Sequence, residues 1–200
     1  MKKILFIVFV AAMSIMTGCK GVPASKLAET MQDALGKKIN ETDKSLRKMG
    51  FIPIPPTDFK QVYEMGDTLM TVIPQMDDKS TVGGIYLSIN MADAEKALDT
   101  YKTYRDLCKE YSIGKLPYYG TKIIYVHPER QYDDIISSDN PMTIDTISAN
   151  FVSRNNVNFN ERWTDNSYPE NRNSVAFIRD QNFKTYRVNL CFRNSKSLEF

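Results

Sequence analysis

Val82-Gly83-Gly84-Ile85-Tyr86-Leu87-Ser88-Ile89-Asn90 decides the fold. Ile85, Leu87 and Ile89 alternate with more polar neighbours, the two-residue period of a strand with one buried face. From about Met91 to Tyr111 the period changes. Ala94, Ala97, Leu98, Tyr101, Tyr104 and Cys108 recur at three and four positions, so their side chains share one face of a helix. Asn90 with Asp93 is expected to satisfy the free amides of its first turn, and Gly114 followed by Pro117 to end it. A second apolar run, Ile123-Ile124-Tyr125-Val126, then reads as a strand wanting cover on both sides. The unit implied is a sheet covered by one long helix.

Outward from this unit, Ala24, Leu27, Ala28, Met31, Leu35, Ile39, Thr42, Leu46 and Met49 fall at helical spacing. One helix is expected between Pro23 and Gly50, weakened at Gly36. Phe51-Ile52-Pro53-Ile54-Pro55-Pro56 lacks too many amide donors for a central strand and reads as a stiff connector. Thr57 to Met65 is expected as a short helix stopped by Gly66, and Thr68 to Ile73 as a strand. Asp77 to Ser80 is expected as a turn.

Beyond Val126, His127-Pro128 is expected to open a short helix carrying Tyr132, Ile135 and Ile136, with a loop from Ser137 to Pro141. Ile147, Ala149 and Phe151 alternate as a strand would, as do Val157 and Phe159. Trp163 to Asn173 reads as a loop, and Val175 to Ile178 and Tyr186 to Phe192 as the last strands. The fold expected is α+β: a single domain, residues 26–200, with a mixed or antiparallel sheet, two main helices and a C-terminal β-meander.

The first eighteen residues stand apart. Lys2-Lys3 precede an apolar run, Ile4 to Met16, which is too short for the roughly 20 residues of a transmembrane helix and has the layout of a secretory signal. The ending Met16-Thr17-Gly18-Cys19 resembles the lipobox of bacterial lipoproteins, with Met16 where that family usually has Leu. The resemblance implies a signal peptide at residues 1–18, acylation of Cys19 by palmitate-type chains, and a short tether over residues 19–25. Lys20 is similar to outer-membrane sorting in enteric bacteria. Lys20-Gly21-Val22-Pro23 lacks the acidic cluster of surface-exposed Bacteroides-group lipoproteins, which implies an outer-membrane anchor facing the periplasm.

With Lys2 and Lys3 removed from the 26 basic residues, the mature chain balances its 24 acidic ones. That neutrality gives no footprint for nucleic acid, and none is expected as a partner. No cofactor or metal is expected either. The single histidine, His127, lies near Glu129, Asp133 and Asp134 without an established ligand spacing, and its plain reading is a loop residue capping the following helix. Ser137 and Ser138 lack the turn of a serine nucleophile, and Gly83-Gly84 lacks the lysine and helix of a phosphate loop. Asp77-Asp78, Asp133-Asp134 and Asp139-Asn140 are ordinary turn residues and do not alternate as calcium ligands. No catalytic residue is assigned.

Aromatic residues carry the binding signal. Trp163, Tyr168, Tyr118 and Tyr119 fall in expected loops, where flat amphipathic rings stack on ligands or fill interfaces. Three readings follow, and the first is preferred: a lipid-anchored envelope protein that binds or scaffolds an envelope protein or glycan, without catalysis. The others are a hydrolase of envelope glycan or cell wall, and a periplasmic inhibitor or immunity protein. Nothing in the sequence bears on oligomeric state. Cys108 lies in the inward helical stripe, whereas Cys191 is out of phase with Val188, Leu190 and Phe192, so two unpaired thiols are expected.

Overall fold

Strand β4 (Val82–Met91) and helix α3 (Ala94–Ser112) form the centre of the structure. The computed structural model describes residues 22–57, 60–66, 68–74, 80–125, 134–138, 145–165, 171–180 and 185–194. Around the centre run α1 (Ala24–Ala34), α2 (Ile39–Lys48), β1 (Ile52–Thr57), β2 (Lys60–Met65) and β3 (Thr68–Pro74). After α3 come β5 (Tyr118–Tyr125), β6 (Asp134–Ser138), α4 (Ala149–Arg154), β7 (Val157–Thr164), β8 (Arg172–Asp180) and β9 (Thr185–Arg193). The strands make one nine-stranded sheet in the order β1-β2-β3-β4-β9-β8-β7-β5-β6. Every neighbouring pair is antiparallel. The fold is α+β, and β7, β8 and β9 form the expected meander.

One face of the sheet is covered by helices. Ile85, Leu87, Val188, Leu190, Val175, Phe177 and Phe159 point into it and are buried, and α3 lays Ala97, Leu98, Tyr101, Tyr104 and Cys108 against them. Phe159 and Phe177 stack with centroids 4.6 Å apart, and Tyr101 meets Phe159 edge-on at 4.8 Å. Each such side chain contributes about 1.5–3 kcal/mol by leaving water. The opposite face carries Tyr86, Ser88, Arg162, Arg172, Ser174, Asn160, Asn189 and Arg187, all half-buried. Cys191 also points there, and both Cys108 and Cys191 are free thiols, since the sheet lies between them.

Several expectations are corrected. Helix α3 starts at Ala94, and its cap is Asp93, whose carboxylate accepts from the Lys96 amide at 2.8 Å. Asn90 stays in β4 opposite Arg187 and accepts from its guanidinium at 3.1 Å. The stripe from Ala24 to Met49 is two helices, and the first begins inside the expected tether. They are broken because Gly36, at φ 78°, turns the chain so that its amide donates to Val82 O and the Val82 amide donates to Lys37 O. Helix formation there would forfeit those bonds.

The proline-rich segment is no connector but the edge strand β1, and an edge is where missing amide donors are tolerated. Where a short helix was expected from Thr57 to Met65, Thr57 ends β1 and Lys60–Met65 form strand β2. Tyr63 and Met65 alternate inward, and Gly66 at φ 57° turns the chain into β3. The Gly83-Gly84 pair sits at a bulge against Ile73 and Pro74. A Cβ on Gly84 would meet Arg193 Cγ at 3.4 Å, so small residues suit the strand contact.

Ile135 and Ile136, expected on a helix, and Ser137 and Ser138, expected in a loop, belong to strand β6, paired with β5. Ile124 is only half-buried, so β5 lacks the cover expected on its second face. Ile147, Ala149 and Phe151 do not form a strand. The Ser148 hydroxyl accepts from the Phe151 amide at 3.2 Å and starts α4, with Ile147 just before the cap and Phe151 in the first turn both packed against the core. Trp163 and Asn173 lie in β7 and β8 rather than in a loop. Among the described residues, two main helices become three longer ones and the short α4. His127, Asp77-Asp78, Asp133 and Asp139-Asn140 lie outside the described residues.

Candidate binding cleft

The inward phase of β7 runs Val157, Phe159, Glu161, Trp163, so a carboxyl group occupies a core position between two aromatic residues. Glu161 is 1% exposed. Its neighbour across the ladder on β5 is Thr121, and Tyr118 is opposite Trp163. A bulge at Tyr119 lets Tyr118 face inward, and the Tyr118 and Thr121 hydroxyls share a hydrogen bond. The Tyr118 and Trp163 rings meet edge-on with centroids 5.7 Å apart.

Helix α3 supplies the other wall. The Tyr101 hydroxyl donates to Glu161 Oε1 at 3.0 Å. Arg105, one turn further along, is directed to the same place, where Nη2 donates to Asp106 at 3.1 Å and Nη1 to Asp145 beside α4. Arg105, Asp106, Lys109, Tyr118, Asp145, Glu161 and Trp163 together line a cleft of about 250 Å³.

Electrostatics distinguish the floor of this cleft from its rim. Burial pushes the Glu161 carboxyl up to about 7, and Asp145 and Asp106 push the same way, against the Tyr101 hydrogen bond and the Arg105 charge. At neutral pH the carboxyl therefore exchanges between donor and acceptor. Burial raises the Tyr101 phenol well above its ordinary value and the Glu161 charge adds to this, so the phenol remains a donor. Arg105 stays charged, because its two carboxylate partners outweigh its desolvation. The cleft offers a switchable carboxyl, a fixed guanidinium, the Lys109 ammonium and an aromatic edge. This combination suits a hydroxyl-rich ligand better than a strongly charged one. Among the described residues no three His, Cys, Asp or Glu side chains gather to hold a metal ion.

The four aromatic residues singled out by sequence are divided. Trp163 and Tyr118 share the cleft, but on strands, and Trp163 is only 5% exposed, so it presents an edge rather than a broad platform. Tyr119 is 60% exposed and lies under Arg162, whose guanidinium carbon is 5.0 Å from the ring centroid. Tyr168 and Cys19 lie outside the described residues. Sequence reading missed Glu161, Arg105 and Asp145. For Glu161 the signal was present: continuing the Val157, Phe159 alternation one step places a carboxylate in the core, where an acid needs partners. Comparison with protein-family models, with curated proteins and with solved structures finds no match to this chain. The chemistry of the cleft is therefore read from its own geometry.

Proposed function

We propose that the protein is a lipid-anchored envelope protein, facing the periplasm from the outer membrane, whose domain binds an uncharged glycan segment of the envelope in the Glu161 cleft. Cys19 acts as the membrane tether, and tethering raises the local concentration of site and ligand without any new contact. The observation that carries the reading is the convergence of Tyr118, Trp163, Glu161 and Arg105 on one concave site. An apolar edge beside a few directed polar groups is the composition of small-ligand sites.

The chain has one tryptophan, and it lies in the cleft, so its fluorescence reports on occupancy. Titration with neutral oligosaccharides, N-acetylglucosamine oligomers and uncharged hexose oligomers, is expected to give a saturable change, lost in Glu161→Ala. No saturable change up to millimolar ligand would overturn the reading. The anchor is tested separately by fatty-acid labelling with intact-mass analysis, where an unmodified Cys19 thiol in native protein overturns the tether.

One observation favours hydrolysis as a second reading, namely a carboxyl pushed up to about 7, as a general acid requires. Against it, the nearby carboxylates Asp106 and Asp145 are both engaged by Arg105, which weakens either as base or nucleophile. Release of new reducing ends from the same oligomers, abolished in Glu161→Gln, would decide for hydrolysis.

A further inference from the structure

A second cavity, of about 260 Å³, lies in the seam between α1 and α2, on elements that contribute nothing to the Glu161 cleft. Three lysines line it, Lys26, Lys37 and Lys48, with one acid, Asp33. Three hydroxyls line it as well. Thr30 donates to Lys26 O at 2.9 Å and Ser45 to Glu41 O at 3.2 Å, each using the carbonyl one turn earlier, the ordinary solution for a helical hydroxyl. Thr42 does not. It is 2% exposed, it lines the cavity, and its Oγ1 has no hydrogen-bond partner among the described residues. A buried hydroxyl left unpaired costs free energy that a bound ligand would recover.

We propose that this cavity is a binding site for a phosphoryl group on a small hydroxyl-bearing carrier. Three ammonium groups match the oxygens of a phosphate, for which lysine serves as a point charge. Thr42 Oγ1 is shielded from solvent in this structure and donates to one of those oxygens once its side chain turns toward the cavity, and Asp33 accepts from a hydroxyl of the carrier. Lys26 is shared with Glu29, its ion-pair partner at 2.8 Å, so Lys37 and Lys48 carry most of the phosphate charge. The volume admits phosphate plus a carrier of glycerol size, at the small end of ligand sites. The same chemistry is offered by a soluble glycerol phosphate and by a phospholipid headgroup.

The test is calorimetric titration of the full chain in a neutral detergent with glycerol 3-phosphate, with glycerol as the uncharged control. A parallel titration uses dihexanoyl phosphatidylglycerol below its micelle concentration. Saturable binding of a phosphorylated ligand, with no binding of glycerol, is expected. Thr42→Val should weaken it about tenfold, the worth of one hydrogen bond to a charged group. The melting temperature of that variant should be unchanged or higher, because the substitution removes an unpaired hydroxyl while keeping its volume. Lys37→Gln and Lys48→Gln should each weaken binding further. Tighter binding of the short-chain lipid assigns the source to a headgroup, and tighter binding of glycerol 3-phosphate assigns it to a soluble metabolite. Absence of saturable binding by both ligands overturns the site, as does equal affinity in Thr42→Val and the wild type.

Discussion

The helix-covered face of the sheet and its open face are built from the same strands, one residue out of phase, and they obey opposite rules. On the covered face the row Leu87, Leu190, Val175 is apolar and buried. On the open face the row Tyr86, Cys191, Ser174, Arg162 is largely polar, and Arg172 stands directly opposite Arg193. A like-charged cross-strand pair costs stability, and a half-exposed surface tolerates that because solvent screens it. Each face also holds a residue at odds with its surroundings. Glu161 is an acid among aromatic rings. Cys191 is a buried thiol among polar groups, where burial raises it and hydrogen bonds from Tyr86, Arg172 and Ser174 oppose the rise. The exception on the covered face opens onto the cleft.

The largest effect should come from removing packing on the covered face. Phe177→Ala is expected to cost about 3–5 kcal/mol in urea unfolding, because Phe177 stacks on Phe159 and touches Tyr101 and Tyr186. A loss below 1 kcal/mol would mean that the two faces are not so different.

Next comes the pH dependence set by Glu161. Its folded-state value of about 7 lies above the ordinary 4.5, so between these the folded chain holds a proton that the unfolded chain has released. The resulting stabilisation is fully present below about pH 4.5 and is lost as pH rises through 7. It amounts to about 3 kcal/mol, the shift converted at 1.36 kcal/mol per unit. Urea midpoints between pH 5 and 8 should fall in the wild type and lose this component in Glu161→Gln. Identical slopes in the two proteins would place the carboxyl in water.

Tyr101→Phe sharpens the comparison further. It removes the donor to Glu161 and is expected to cost about 1–3 kcal/mol at pH 8, where the carboxylate is charged, and less at pH 5. The Glu161 titration, followed by carboxyl NMR, should move upward, since the lost hydrogen bond holds it down. A downward move would contradict the assigned donor. The smallest effect is expected on the open face, where Asn160→Ala should change stability by no more than about 0.5 kcal/mol.

Legibility in the sequence followed the same division. Helix α3 and strands β4, β8 and β9 were readable because one face is buried and the other is not, which writes a clean period into the chain. Strand β2 was misread because six residues with Tyr63 and Met65 inward hold too few repeats to separate the two periods. The break between α1 and α2 comes from backbone bonds to Ser80–Val82, and no side-chain pattern encodes those. In the cleft, Trp163 and Tyr118 were legible as aromatic residues of binding type. Arg105 and Asp145 were not, since 40 residues separate them and only the packing of α4 on α3 brings them together.

The strand order has a consequence for how the molecule is made. Strand β4 is completed on one side by β3, its neighbour in sequence, but on the other by β9, the last strand among the described residues; Asn90 and Arg187 meet across 97 positions. A chain emerging amino end first, from a ribosome or an export channel, presents the inward row Ile85, Leu87, Ile89 with half its ladder empty until Thr185–Arg193 arrives. Loop closure over such a span is slow. The unfinished edge is meanwhile open to any other extended chain. A chain cut short before residue 185 would keep the β3 ladder of β4 and leave the facing edge, Gly84 to Met91, without its β9 partner.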